Sequence, residues 1–579
     1  MALPRILVLL LSFQILPGVR SITVHNTSYQ NPVLPGWHSD PSCTRVDELF
    51  FCVTSTFDVF PGLPIYVSKD LLDWKLVSHA WNRESQLPGY SAGTAGQQLG
   101  HYAATIRYHD GTFYVICVYL GAPSQTGVLY SSKNPYNDSA WSDPVIFDAG
   151  SIDPDLFWDD DGKVYTVMSG ITLQEIDIQT GNLSDAVSMW NGTGAVYPEG
   201  PHLYKKDGFY YLLIAEGGTE LNHSISIARS TKIGGPYISY QNNPILTNRG
   251  TNEYFQTVGH GDLFQDANGN WWGVCLATRG GPAWRVYPMG RETVLFPVTW
   301  KKDEWPVLET VRGQMTGWPL PSPTRNIPGK GPFNSDPDVY DFEFGTDIPR
   351  NLVHFRVPQN GDFSVTPKGL EITPSRSNLT GSSDDPELNG QKGLGFIGRR
   401  QTDTFFTFTV DVTFNPTSVG HEAGVTVFLT QMNHIDLGLV LLNSQTSSQG
   451  HPSSRLYFRF KTEAQTMDNS PVIPASPPPP KIVPVPHSWI GGKIRFQIKT
   501  INETHYEFSA MPSANPNAAI RIGIMSAQFV SGGSGTFVGS LIGMYATCNG
   551  IGSGSECPSD TSNVYFDRWR YTGNGQAIF

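Results

Sequence analysis

A short unit recurs five times between residues 31 and 320: a polar pair, bulky residues, then an apolar run. The copies are Asp47-Glu48-Leu49-Phe50, Asp110-Gly111-Thr112-Phe113-Tyr114, Asp161-Gly162-Lys163-Val164-Tyr165, Asp207-Gly208-Phe209-Tyr210-Tyr211 and Asn268-Gly269-Asn270-Trp271-Trp272. Asp-Gly or Asn-Gly between hydrophobic runs reads as a β-hairpin. The copies lie about 45 to 65 residues apart, which suits one four-stranded blade per copy. Residues 22–320 are therefore expected to form a five-bladed β-propeller.

The same register places polar groups together. Eight residues before the later four turns stand Tyr102, Asp153, Glu199 and His260. The first turn is one residue shorter, and seven residues before it stands Asp40. In a propeller, equivalent positions at the starts of the inner strands surround the axis. One Asp or Glu at a strand start is ordinarily a cap. Three acids and a His on one ring repel or desolvate one another, which costs stability and points to function. Asp155, Asp159 and Asp160 lie off this register and read as turn or surface acids. Glu216 and His223 read equally as site or loop residues.

Residues 339–579 change character. Runs such as Thr404–Phe414 and Lys493–Lys499 lack the turn-and-aromatic unit and suggest an antiparallel, jelly-roll-like β-sandwich. Residues 321–338 are rich in Pro, Gly and Ser and read as a linker. The stretch Pro471–Pro486, with four consecutive prolines, reads as an exposed loop. The fold class is thus all-β.

Only 16% of residues are charged and the net charge is −12 without a basic tract, which excludes nucleic acid and anionic membrane as partners. Residues 1–21 read as a secretory signal peptide, with Arg5 before an apolar run and Val19-Arg20-Ser21 at the cleavage site. Seven N-glycosylation sequons agree with an extracellular protein. Six cysteines are too few for a disulfide scaffold. Cys43 stands opposite Cys52 across a two-residue turn, close enough to bridge, and Cys548 with Cys557 would close a Gly/Ser loop. Cys117 and Cys275 lie in apolar strands and read as buried thiols. Oligomeric state is not legible.

Carboxylates converging in an aromatic-rich funnel suggest glycoside hydrolysis, which needs one acid held protonated and another ionised. Phe57, Phe60 and Tyr102 would supply flat faces for a sugar. A metal site is the competing chemistry, but no HExxH or EF-hand loop is present. A non-catalytic carbohydrate-binding propeller is the rival from another class.

Several motifs carry a resemblance to glycoside hydrolase family 43, the β-xylosidases and α-L-arabinofuranosidases with a C-terminal β-sandwich. They are His38-Ser39-Asp40-Pro41-Ser42, Ser55-Thr56-Phe57, Ile152-Asp153-Pro154, Glu199-Gly200-Pro201-His202, Gly259-His260 and Gly290-Arg291-Glu292-Thr293. The resemblance implies a secreted, exo-acting, inverting enzyme that releases terminal β-D-xylose or α-L-arabinofuranose from hemicellulose fragments. It implies Asp40 as general base, Glu199 as general acid and Asp153 as the group that raises and orients that acid. Phe57 and Arg291 match sugar-contact positions. His260 matches a central His that in some members sits beside calcium; no cofactor is otherwise required. Tyr102 replaces the family's Trp and follows an unusual Gln97-Gln98-Leu99-Gly100-His101, which leaves another sugar open. The family's sandwich lends an apolar side chain to close the pocket, and in the matching stretch Phe537–Thr547 Leu541 either takes that place or is a plain core leucine.

Overall fold

The structure is a computed structural model that describes residues 26–579 except 90–97, 122–124, 382–392, 445–453, 466–475, 534 and 553–555. The expected signal segment and Gln97 lie outside the described residues. The chain is all-β, and among the described residues no helix is long and apolar enough to cross a membrane.

The five hairpin units each seed one antiparallel sheet. The first strands of sheets 1 to 5 are Ser42–Val46, Thr105–His109, Asp155–Trp158, Glu199–Lys206 and Phe255–Gln265. Later strands follow outward in chain order, and sheet 2 carries an extra pairing from Gly100–His101. In sheets 2 and 4 both turn residues, Asp110-Gly111 and Asp207-Gly208, have left-handed backbone, as a two-residue hairpin turn of matching twist requires. Second strands such as Thr112–Leu120 and Trp271–Arg279 are apolar and mostly buried, because each is covered on both faces by neighbouring sheets. Each first strand touches that of the next sheet, and the fifth touches the first, so the sheets close into a ring. Ser28–Gln30 pairs with Gln314–Thr316 and ties the two ends together.

The C-terminal domain packs an eight-stranded sheet on a six-stranded one. Phe406, Phe408 and Val410 of the first meet Val425 and Val427 of the second in a shared core. That core does not stop at the domain border: Trp37, Phe57 and Val59 of the ring belong to it. Val59–Phe60 also pairs as a strand with His354–Phe355.

One expectation is corrected. Lys481–Pro484, inside the proline-rich stretch, is no loop: it pairs with Ser454–Ala464 as the edge strand of the six-stranded sheet, a position where proline is tolerated. The connecting residues 321–337 are largely irregular but bound, and Asp338 already begins the strand Asp338–Tyr340. Ile327 and Phe333 are buried against sheets 1 and 2, and the Lys75 ammonium donates to the carbonyls of Ile327 and Gly329. Disulfides join Cys43 to Cys52 across the first hairpin and Cys548 to Cys557, while Cys117 and Cys275 are buried free thiols.

Candidate active site

A cavity of about 310 Å³ opens at one end of the ring. All five positions of the sequence register line it: Asp40, Tyr102, Asp153, Glu199 and His260. Three of them, Asp40, Asp153 and His260, have left-handed backbone, with φ of 52°, 58° and 52°. In sheet 4 the kink falls one residue later, at Gly200 with φ 54°. The pairing register slips between Glu199 and His202 and on both sides of Gly259. These bulges turn side chains out of the sheet and into the cavity, at a cost that rigid neighbours sustain.

The three carboxyls are treated differently by their surroundings. Asp40 accepts from both Nη atoms of Arg291, at 2.9 and 3.3 Å, and from Ser55 Oγ at 2.5 Å. Burial pushes its carboxyl up, but Arg291, His260 and Ser55 outweigh burial and hold it below the usual carboxylate range. Asp153 accepts from Ser169 Oγ at 2.8 Å and from the Gly200 amide at 3.1 Å. Burial nevertheless raises it, with Asp40 adding to the effect. Glu199 is pushed up to about 8, first by burial, then by the negative charges of Asp153 and Asp40. One carboxylate is therefore kept ionised and one carboxylic acid kept protonated in the same cavity.

Aromatic rings form one wall. Phe57 meets Tyr102 edge-on at 4.8 Å and stacks on Phe537 at 6.0 Å. The Arg291 guanidinium lies over both phenyl rings, and its Nε donates to the Phe537 carbonyl at 3.0 Å. Phe537 comes from the sandwich. Its loop is held by Gln98, which donates to the Gly535 carbonyl and accepts from the Phe537 amide, and by Glu220, which accepts from the Gly535 amide. The unusual Gln98 thus has a physical role.

Two site expectations change, at Phe60 and Asp155. Phe60 does not line the cavity. Its strand pairs with His354–Phe355, and its ring packs on Trp81 beside a separate groove between the domains. Of the two readings of Leu541 the core leucine holds: it lies in a strand of the sandwich, 2% exposed, and Phe537 lines the cavity instead. Asp155 is not a turn or surface acid. It is 1% exposed and pairs with Arg107 at 2.9 Å. Asp159 and Asp160 are the turn and surface acids expected: the Asp159 carbonyl accepts from the Gly162 amide at 3.0 Å across the turn while its carboxylate binds Lys205 and Tyr210, and Asp160 is exposed. Glu216 and His223 stand behind the cavity. Glu216 accepts from the amide and hydroxyl of Thr193, and His223 Nδ1 donates to the Thr257 carbonyl at 2.9 Å. The sequence reading missed Phe537, Thr219, Glu220 and Tyr197 as lining residues. Tyr197 and the Thr219-Glu220 pair flank the hairpin that carries Glu199, and that proximity was the available signal.

Calcium beside His260 does not fit the residues present. The facing oxygen, Asp40 Oδ1, is 3.7 Å from His260 Nδ1 and already neutralised by Arg291. Two residues further along the same strands, the guanidinium of Arg107 fills the space between the carboxylates of Asp155 and Asp262. A divalent cation needs several free oxygen donors. Among the described residues no group of three or more His, Cys, Asp or Glu side chains is arranged to hold a metal.

The description Glycosyl hydrolases family 43 matches residues 29–306, and Beta xylosidase C-terminal Concanavalin A-like domain matches residues 339–572. A non-reducing end alpha-L-arabinofuranosidase of Bacteroides ovatus is 35% identical over 92% of this chain and 93% of its own length. A xylosidase/arabinosidase of Butyrivibrio fibrisolvens is 31% identical over 91% and 97%. The solved structure of Bacteroides ovatus Xyloglucan PUL GH43B superposes with a TM-score of 0.79 at 32% identity, covering 94% of this chain and all of that one. The xylan beta-1,4-xylosidase of Bacillus halodurans C-125 gives 0.76 at 28%, covering 94% and 99%. A cavity that holds one carboxyl ionised and another protonated, on a chain aligned with these enzymes nearly end to end, belongs to a glycoside hydrolase of family 43.

Proposed function

We propose that this protein is a secreted, exo-acting, inverting glycosidase that removes terminal β-D-xylose or α-L-arabinofuranose from hemicellulose-derived glycans. The opposed charge states of Asp40 and Glu199 carry this reading. Glu199 gives its proton to the glycosidic oxygen as the bond to the anomeric carbon breaks. Asp40 takes a proton from the water that attacks the opposite face, so configuration inverts in one step. Asp153 keeps Glu199 protonated by like-charge proximity and keeps it in place through the Gly200 amide. The closed ring of five sheets is read as a five-bladed propeller spanning residues 22–320, followed by the segment 321–338 and the sandwich 339–579. The pocket, capped by Phe537, suits a chain end rather than a chain interior. The apolar segment before residue 22 supports export, and the relatives' names support the two pentoses.

The test is hydrolysis of aryl β-D-xyloside and aryl α-L-arabinofuranoside by the wild type, Glu199→Ala and Asp40→Asn, with the anomer of the released sugar followed by NMR. Pentose released with inverted configuration, and turnover lower by about 100-fold or more in each variant, is expected. Release with retained configuration sinks the mechanism. An inert wild type sinks the pentose assignment and turns attention to Tyr102, which occupies the family's Trp position.

A further inference from the structure

One side chain touches the first strands of all the other sheets. Arg107 comes from sheet 2. Its Nη1 donates to Ser42 Oγ of sheet 1 at 3.2 Å and to Asp262 Oδ2 of sheet 5 at 2.8 Å. Its Nη2 lies 2.9 Å from Asp155 Oδ1 of sheet 3 and 3.0 Å from His202 Nδ1 of sheet 4. A guanidinium has only donors, so His202 Nδ1 is the acceptor of this contact. A group within hydrogen-bond reach of four strands, and carried by the fifth, stands at the centre of the ring.

This hub lies one tier from the cavity. Ser42, Asp155 and Asp262 each follow a cavity residue by two positions: Asp40, Asp153 and His260. His202 follows Glu199 by three, across the bulge. Side chains two apart on a strand share a face, so the hub and the cavity are successive layers of one stack. The partners are committed elsewhere too. Asp155 accepts from the Leu203 amide at 3.1 Å, and Asp262 from the Tyr204 hydroxyl at 2.7 Å. Asp155 is 1% and Asp262 0% exposed. Two buried carboxylates this close would drive the strands apart without a cation between them.

We propose that Arg107 is a built-in axial cation, occupying the place a divalent metal ion would take, which holds the five inner strands at the spacing that Asp40, Asp153 and Glu199 need. It is a positioning residue. This rests on the catalytic reading of those three residues, but its central consequence does not. Removal of the guanidinium leaves Asp155, Asp262, His202 and Ser42 around a vacated space, a donor set that suits a divalent cation. The wild type has no such space.

The experiment compares thermal unfolding and turnover of wild type, Arg107→Ala and Arg107→Lys, each in EDTA and in millimolar calcium chloride. The wild-type Tm is expected to be equal in both media. Arg107→Ala is expected to lose several degrees in EDTA and to regain about half or more in calcium, since a ligand that binds only the folded state stabilises it. Its kcat is expected to fall about tenfold or more with KM nearly unchanged, and to rise again with calcium. Arg107→Lys keeps the charge but not the fork, so it should lose kcat and show no calcium response. A wild type that calcium stabilises, or EDTA inactivates, overturns the proposal. So does an Arg107→Ala variant with wild-type Tm, or one that gains nothing from calcium. If Arg107→Ala folds in neither medium, Arg107→Lys decides: reduced kcat at constant KM supports the hub, and wild-type kcat overturns it. The Tm arms stand even if the wild type cleaves neither pentoside, so failure of the proposed function and failure of the axial cation are distinguishable.

Discussion

Glu199 and Asp40 are carboxyls of one cavity whose surroundings drive them to opposite charge states. Glu199 ionises in the folded chain only near pH 8, against 4.5 when exposed. The proposed acid is therefore lost above about pH 8, and the basic limb of kcat/KM is expected there. The same shift has a stability consequence. Between pH 4.5 and about 8 the unfolded chain has released a proton that the folded chain retains, so this group's contribution to stability falls as pH rises through that window. Glu199→Gln should accordingly be inactive but more stable than wild type. Its advantage in Tm should grow from pH 5 to 8 and then level off; an advantage independent of pH would contradict the assignment. Arg291 controls the other limb. Arg291→Met removes the largest of the groups that oppose burial of Asp40 and leaves only His260, Ser55 and His223 against it, so the acid limb should move toward neutral pH. Arg291→Lys keeps the charge and should leave that limb near its place while raising KM, because the fork that meets Asp40 is gone. A pH–rate profile of each variant separates the two effects.

At the scale of elements, the strand starts carry the chemistry and one distant loop completes the pocket. Asp40, Tyr102, Asp153, Glu199 and His260 were legible because the hairpin repeat fixes their register, and equivalent positions in a closed ring must converge. Phe537 was legible only as the first residue of the stretch that the resemblance marked, where Leu541 was the residue singled out: it arrives from a loop 338 residues beyond Glu199, through contacts with Gln98 and Glu220 that no local pattern announces. Phe60 was misplaced because its strand pairs with the sandwich, which carries the ring away from the cavity. Asp155 was misread because strand alternation puts it in the next tier, where burial and Arg107 replace solvent. The loop makes its own prediction. Phe537→Ala removes one wall of the pocket and should raise KM for small aryl pentosides by about tenfold, with Tm nearly unchanged because the ring is partly exposed. Gln98→Ala loosens the same loop from the other side and should produce a similar rise. If Phe537→Ala alters kcat and KM in neither substrate, the loop does not belong to the site.

For the whole molecule, the question is whether the sandwich is an appendage or half of the active site's scaffold. Its core takes in Trp37, Phe57 and Val59, and Phe57 is also a wall of the cavity. Polar ties cross the same border. Arg279, buried in sheet 5 against Glu292, donates to Gln576 Oε1 at 2.7 Å and to the Ala577 carbonyl at 3.1 Å. The approach is close enough to forbid a side chain at Gly290, where φ is 64° and a Cβ would lie 2.5 Å from the Val538 carbonyl oxygen. Domains that share a core and a strand pair do not open independently, unlike those joined by a small polar interface. Calorimetry should therefore show one cooperative transition for the full chain, not two. A chain ended after Leu320 should be insoluble or inactive, since Trp37 and Phe57 lose their cover. Gly290→Val should lower both Tm and kcat/KM by pushing the strand after Phe537 away from Arg291. Two separated transitions, or a truncated ring with full activity on aryl pentosides, would show that the cavity is complete without the sandwich, and the role given to Phe537 would fall with it.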